Sequence, residues 1–220
     1  MADDVKPRPY DNSRRTDAAR QTRRAVVAAA RDLFIDLGYP ATTLAAIADQ
    51  AGVSVQTVYA QFGNKTTVLK EVIDHTVAGD DEPTPVADRE WVHQILAEPD
   101  VRKKLAMHAH GVTMIMGRSY RLDWVLRTAA PVDTDADALW RKAVRQRRVG
   151  MEQLASHLHE RGALRPDVTV AKAADRITTL IDPEFYRLTV GERKWKPEQY
   201  EAWLAELLIA SLLPPRTSGG

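Results

Sequence analysis

The sequence predicts an all-α protein of two helical domains, and three observations carry that prediction. Apolar residues recur at i, i+3, i+4 and i+7 in run after run, the spacing that gathers them on one face of a helix. Thr, Ser, Asn and Asp precede these runs and glycines follow them, as helix caps require. One acidic, proline-rich, aperiodic stretch, GDDEPTP at residues 79–85, separates an N-terminal from a C-terminal group of runs.

Composition agrees with a soluble globular chain. With 220 residues, 44% apolar and 28% charged, it can bury one or two proper cores. The absence of cysteine rules out disulfides, thiolate metal sites and a thiol nucleophile. The first thirty residues are polar and Arg-rich, unlike a signal peptide, and no run approaches the about 18 apolar residues of a membrane span, so a cytoplasmic protein is expected. A net charge of +1 does not announce nucleic acid, yet Arg14, Arg15, Arg20, Arg23, Arg24 and Arg31 stand close together against only Asp17 and Asp32. Such a cluster can neutralise phosphates and release counterions, or it can be a solvated arm. No P-loop, GxGxxG, GxSxG or HExxH is present, and no enzyme is expected.

Taken in order, residues 1–15 contain Pro7 and Pro9 and no periodicity, and are expected to be a disordered basic arm from which Arg8, Arg14 and Arg15 reach a flanking minor groove. A first helix is predicted from residue 16 or 17 to 37, with Val26, Ala30, Leu33, Phe34 and Leu37 as its stripe and Gly38 as its stop. Thr43 caps a short helix over 44–51, whose Leu44, Ile47, Ala48 and Ala51 share a face; Gly52 ends it, and Val53 turns inward. Ser54 caps the next helix, 55–62, which sets Val58 and Phe62 inward. Its other side carries Val55, Gln56, Thr57, Tyr59, Ala60 and Gln61 and no carboxylate, a face able to read base edges and phosphates. Thr42 and Thr43 sit at a helix N-terminus, where free N–H groups favour a phosphate. Asn64 caps a fourth helix over 65–78, with Leu69, Val72, Ile73, Thr76 and Val77 inward and Lys65 in its first turn, a small electrostatic cost that a DNA phosphate would explain. Caps and spacing alone suit an ordinary helical hairpin as well as a DNA reader.

A resemblance separates the two. Residues 31–69 resemble the N-terminal domain of the tetracycline-repressor (TetR) family of bacterial transcription regulators, through LF-x3-GY from Leu33, T-x3-IA-x3-GVS from Thr43 and VY-x2-F-x-NK from Val58. The resemblance is strong over about residues 20–78. It implies a three-helix helix-turn-helix domain that binds DNA through Thr42, Thr43, Ser54, Val55, Gln56, Thr57, Tyr59, Gln61, Lys65, Arg14 and Arg15. The family often has histidine or lysine where this chain has Gln61 and Gly63, so base preference is not transferable.

Beyond residue 85 the pattern predicts helices over 88–97, with Trp91 and Ile95; over 101–116, with Pro99 leading in and Leu105, His108 and Val112 along one side; and, after a kink at Gly111 or Gly117, over 120–129 with Trp124. A long helix over 136–161 follows, with Trp140, Val144, Arg147, Met151, Leu154 and Leu158 in its seam and Gly162 behind it. Arg147 either reaches the surface or faces a cavity where it pairs with a carboxylate or an anionic ligand. Helices over 170–181 and 197–213 complete the domain, with a short helix and loop between them. The last is apolar over a wide arc, which suggests a partner chain. By resemblance, this region binds a small effector and forms a homodimer through its last two helices. The residues assigned to the dimer interface are Ile177, Ile181, Trp203, Leu204, Leu207, Leu208 and Leu212. Trp91, His108, Met114, Met116, Tyr120, Trp124, Trp140, Arg147 and Phe185 are the candidate pocket, suited to an apolar or flat aromatic ligand. Pairs such as His108 with His110 point opposite ways on a helix, so no metal and no cofactor are expected. The expected partition is an arm to residue 15, a helix-turn-helix domain over 16–79, a regulatory domain over 80–213 and a tail. The expected function is a dimeric regulator, most often a repressor, released from a palindromic operator by its ligand; a helical protein-interaction module is the competing reading.

Overall fold

The computed structural model describes residues 12–79 and 84–215, with side chains from residue 16 in the first helix. Among the described residues all regular structure is helical, as ten α-helices, a 3-10 turn and a π-helical stretch. Two compact units meet between Val72 and Ile73, inside the fourth helix, whereas composition breaks a few residues later.

The first unit contains α1 (Asn12–Ala41), α2 (Leu44–Gln50), α3 (Val55–Phe62) and the start of α4 (Lys65–Ala78). The first helix begins earlier than expected, so residues 12–15 are helical; residues 1–11 lie outside the described residues. Gly38 interrupts it with φ of 77°, a left-handed conformation that glycine adopts without a Cβ penalty. Val26, Ala30 and Phe34 are fully buried, and Leu37, expected in the same stripe, is exposed because the chain turns away directly after it. The Thr42 hydroxyl closes that turn, donating to Gly38 O at 2.8 Å and Leu33 O at 3.1 Å. Tyr39 fastens α4 to the turn: its ring stacks on Phe34 with centroids 5.9 Å apart, and its hydroxyl lies 2.7 Å from that of Thr66.

The second unit is arranged around α6 (Val101–Ala129), which packs against α5 (Glu90–Ala97), α7 (Thr134–Glu160), α9 (Pro183–Tyr186) and α10 (Pro197–Leu212). A further helix, α8 (Val170–Leu180), packs on α7 and α10. The core joins Leu105, Ala109, Val112 and Met116 of α6 to Leu154 and Leu158 of α7, Ile177 of α8, and Leu204, Leu208 and Leu212 of α10. The kink expected at Gly111 or Gly117 does not occur, and the segment carrying Trp124 is part of α6. Both glycines admit rings: a Cβ at Gly111 would lie 2.5 Å from Cζ3 of Trp91, and one at Gly117 3.3 Å from the Tyr186 hydroxyl. Asp100 caps α6, so Pro99 precedes the helix instead of opening it. The seam expected along α7 holds only in its second half; Val144 is exposed and Trp140 half-buried.

Candidate nucleic-acid interface and regulatory site

The turn between α2 and α3 is built by local hydrogen bonding. Thr43 Oγ1 accepts from Ala46 N at 3.1 Å, Gly52 takes φ of 67°, and Ser54 Oγ accepts from Thr57 N at 3.1 Å. The Ser54 and Thr57 hydroxyls also lie 2.8 Å apart. With Val58 and Phe62 buried, α3 turns Gln56, Tyr59 and Ala60 to solvent, and Tyr59 is 55% exposed. Val55, Thr57 and Gln61 flank them half-buried, and no carboxylate interrupts this face. Gln61 differs from the others, because its Oε1 is buried without a hydrogen-bond partner and does not point outward.

Two expected DNA contacts, Thr42 and Lys65, and one arginine of the basic cluster have structural duties. Thr42 is fully buried and spends its hydroxyl on the Gly38 turn, so it offers nothing to a phosphate. Lys65 Nζ donates to Tyr39 O at 2.7 Å and lies 4.1 Å from the Tyr39 ring centroid. A carbonyl and a ring therefore offset the cation in the first turn of α4, an arrangement that needs no DNA. Arg23, from the basic cluster, bonds Glu71 at 2.7 Å and covers the Phe62 ring at 4.8 Å. The Arg14 and Arg15 side chains lie outside the described residues.

In the second unit the nine expected pocket residues do not converge. Trp91 packs on Gly111, Met116 is in the core, and Tyr120 meets Tyr186 with ring centroids 5.4 Å apart. Met114 and Trp124 point outward, 43% and 42% exposed, because α6 buries its other sides; the Arg187 guanidinium lies 4.4 Å above the Trp124 ring. Arg147 takes the carboxylate alternative, bonding Asp123 at 3.0 Å. Burial outweighs that guanidinium and holds the Asp123 carboxyl above its usual range. His108 is buried with Nε2 unpartnered, and burial pushes its pKa down to about 4, so it is neutral at pH 7.

A cleft of about 380 Å³ opens elsewhere, lined by Arg127, Thr178, Thr179, Asp182, Glu184, Phe185 and Leu188. Phe185 alone belongs to the expected set. Aromatic residues drew the sequence reading, while the cleft has a charged rim and a small apolar floor. Arg187 bonds Glu184 through Nε at 2.7 Å and Nη2 at 2.6 Å and so lowers the pKa of that carboxyl, whereas Arg127 reaches Asp182 only at 3.4 and 3.5 Å. The i, i+3 pair Glu184 and Arg187 behind an Asp-Pro start was the signal available in the sequence.

The expected dimer residues need correction. Ile177, Ile181, Leu204, Leu208 and Leu212 are sealed in the chain's own core, where α6, α8 and α10 cover one another, and they leave no surface for a partner. Trp203 and Leu207 are half-buried. Among the described residues no cluster of His, Cys, Asp or Glu could hold a metal ion, and no helix is long and apolar enough to cross a membrane.

The fold and the exposed, capped α3 define a helix-turn-helix protein with a helical second domain. The sequence profile of the bacterial regulatory proteins of the tetR family matches residues 26–72. An uncharacterised HTH-type transcriptional regulator, TtgW of Pseudomonas putida, is 35% identical over 92 residues, covering 40% of this chain and 69% of that protein. Among solved structures, native NalD, the secondary repressor of the MexAB-OprM multidrug efflux pump in Pseudomonas aeruginosa, matches with a TM-score of 0.68 and 23% identity over 92% of this chain and 100% of that one. A complex of SmeT with triclosan matches with a TM-score of 0.68 and 17% identity over 90% of this chain and 97% of that one. The chain belongs to the tetR family, and it is a DNA-binding transcription regulator, not an enzyme.

Proposed function

We propose that the protein is a dimeric repressor that reads a palindromic operator through α3 and leaves it when a small molecule occupies the second unit. The observation that carries this reading is the outward face of α3, where Gln56 and Tyr59 stand exposed on a helix fixed by the Ser54 cap. Gln56 can bond a base edge, Val55 can touch a thymine methyl, and the Thr43, Ser54 and Thr57 hydroxyls with Tyr59 can bond phosphates. Lys65, in the first turn of α4, can add a phosphate contact. Two recognition helices related by a two-fold axis would read two half-sites, so modest energies per site add. With the α10 core residues unavailable, the partner surface we favour is the outer side of α10, where Trp203 and Leu207 lie beside the exposed Ala202, Glu206 and Ala210.

Effector binding is supported by the triclosan complex of SmeT and by the cleft at Phe185 and Leu188, whose apolar floor suits an aromatic body and whose rim supplies polar anchors. Selection of bound fragments from sheared genomic DNA by the purified chain, at two salt concentrations, tests the reading. Enrichment of one palindromic site that weakens as salt rises is expected, since each phosphate neutralised releases counterions. A folded chain that enriches no site at either salt concentration contradicts it.

A further inference from the structure

The hydrogen-bond inventory of the cleft in the second unit fixes the sign of charge that it accepts. Helix α8 stops at Leu180 and α9 begins at Pro183, and the break leaves Asp182 as the cap of α9, its Oδ1 accepting from Glu184 N at 2.9 Å. Thr178 and Thr179 spend their protons inside α8, donating to Ala174 O at 2.7 Å and Asp175 O at 2.8 Å, so each can offer a ligand only its lone pairs. The Glu184 carboxylate is taken by the Arg187 fork, and Arg187 is shared in turn with Glu192. Asp182 is held less firmly. Its cation, Arg127, stands at 3.4 and 3.5 Å, the far end of hydrogen-bond range, and 3.9 Å from Glu184 Oε2.

Charge points the same way. Arg127 and Arg187 face Asp182, Glu184 and Glu192, which leaves one negative charge in excess, and the adjoining Arg147 and Asp123 offset each other. A carboxylate ligand could reach Arg127 only against that excess, whereas a cation answers to it. Beside Asp182 lie Leu188 and the half-buried Phe185, whose ring centroid is 5.8 Å from that of Trp203, an apolar wall for an aromatic body. We propose that the cleft takes a flat aromatic cation bearing N–H donors, an amidinium or an ammonium, which replaces the Arg127 guanidinium on Asp182. This rests on the reading of the cleft as the effector site. In the exchange a loosely held pair gives way to a closer one, and Arg127, already partly exposed, turns to solvent.

The test is calorimetric titration of the full chain, without DNA, with benzamidine, benzamide and benzoate, probes of one shape that are cationic, neutral and anionic. Wild type is compared with Asp182→Asn, which keeps a capping side chain, and with Arg127→Gln. Benzamidine is expected to bind about tenfold more tightly than benzamide, the scale of a charged hydrogen bond, and benzoate more weakly than either. Asp182→Asn should cost benzamidine that advantage and leave benzamide unchanged. Arg127→Gln should tighten benzamidine, because the resident competitor is gone; a residue that only held the cleft in shape would weaken all three probes when removed. Thermal midpoints measured alongside show that each variant folds, and the order of the probes on the wild type decides without any variant. Benzoate binding as tightly as benzamidine, weaker benzamidine binding in a folded Arg127→Gln, or no heat from any probe overturns the inference. Failure of the effector reading looks different: benzamidine binds in the expected order and does not release the chain from its selected duplex.

Discussion

Single side chains in this protein do work that their positions alone do not disclose. His108 is a case with a measurable consequence. In the unfolded chain its imidazole titrates near the ordinary value of 6.5; in the fold, burial pushes that to about 4. Between those values the unfolded state binds the proton and the folded state does not, so stability falls as pH drops from 6.5 towards 4 and is fully present above that window. The loss attributable to His108 should reach about 3 kcal/mol at the acid end. Urea titrations at a series of pH values check this: the dependence should shrink in His108→Leu, and an unchanged dependence would mean that other groups cause it. Legibility at this scale followed chain distance. The caps Thr43, Ser54 and Asn64 bond amides three residues on, and all three are where the sequence placed them. Thr42, Lys65 and Arg23 instead answer to partners across a turn or on another helix, and their structural duties left no mark in the sequence pattern.

At the scale of elements, periodicity located most helices to within a few residues, because one buried face imposes its spacing directly. It misjudged α6. Two glycines read as breaks, since glycine costs about 1 kcal/mol in a helix interior. Their reason is spatial: α6 gives up a side chain at Gly111 so that Trp91 of α5 can close on it. Gly111→Ala should therefore destabilise the protein by about 1–3 kcal/mol, the overpacking against a ring outweighing the gain in helix propensity. Denaturant midpoints of the two proteins decide the sign, and a stabilised variant would show that the Trp91 contact is slack. The same limit affected α10. Its wide apolar arc suggested a partner chain, but α6 and α8 cover most of it from within. A sequence shows that a face must be covered and does not say by what.

For the whole molecule, the division of labour is between a small unit whose packing presents α3 and a larger one built around α6. The first was legible because its turns, caps and motif lie within a short run of chain, so the sequence carries its geometry almost directly. The cleft of the second unit was not, because it gathers Arg127, Thr178 and Phe185 from three helices far apart in sequence, and no local pattern marks their meeting. The central claim is that the outward face of α3 reads the operator. Its most direct test is an anisotropy titration of wild type and Gln56→Ala against the selected duplex and against versions substituted at each base pair in turn. The account predicts that Gln56→Ala loses about 1–3 kcal/mol of discrimination at one position of each half-site while the salt slope stays the same. Unchanged discrimination at every position would contradict it and take base reading away from Gln56; an equal loss at all of them would reduce that side chain to a phosphate contact.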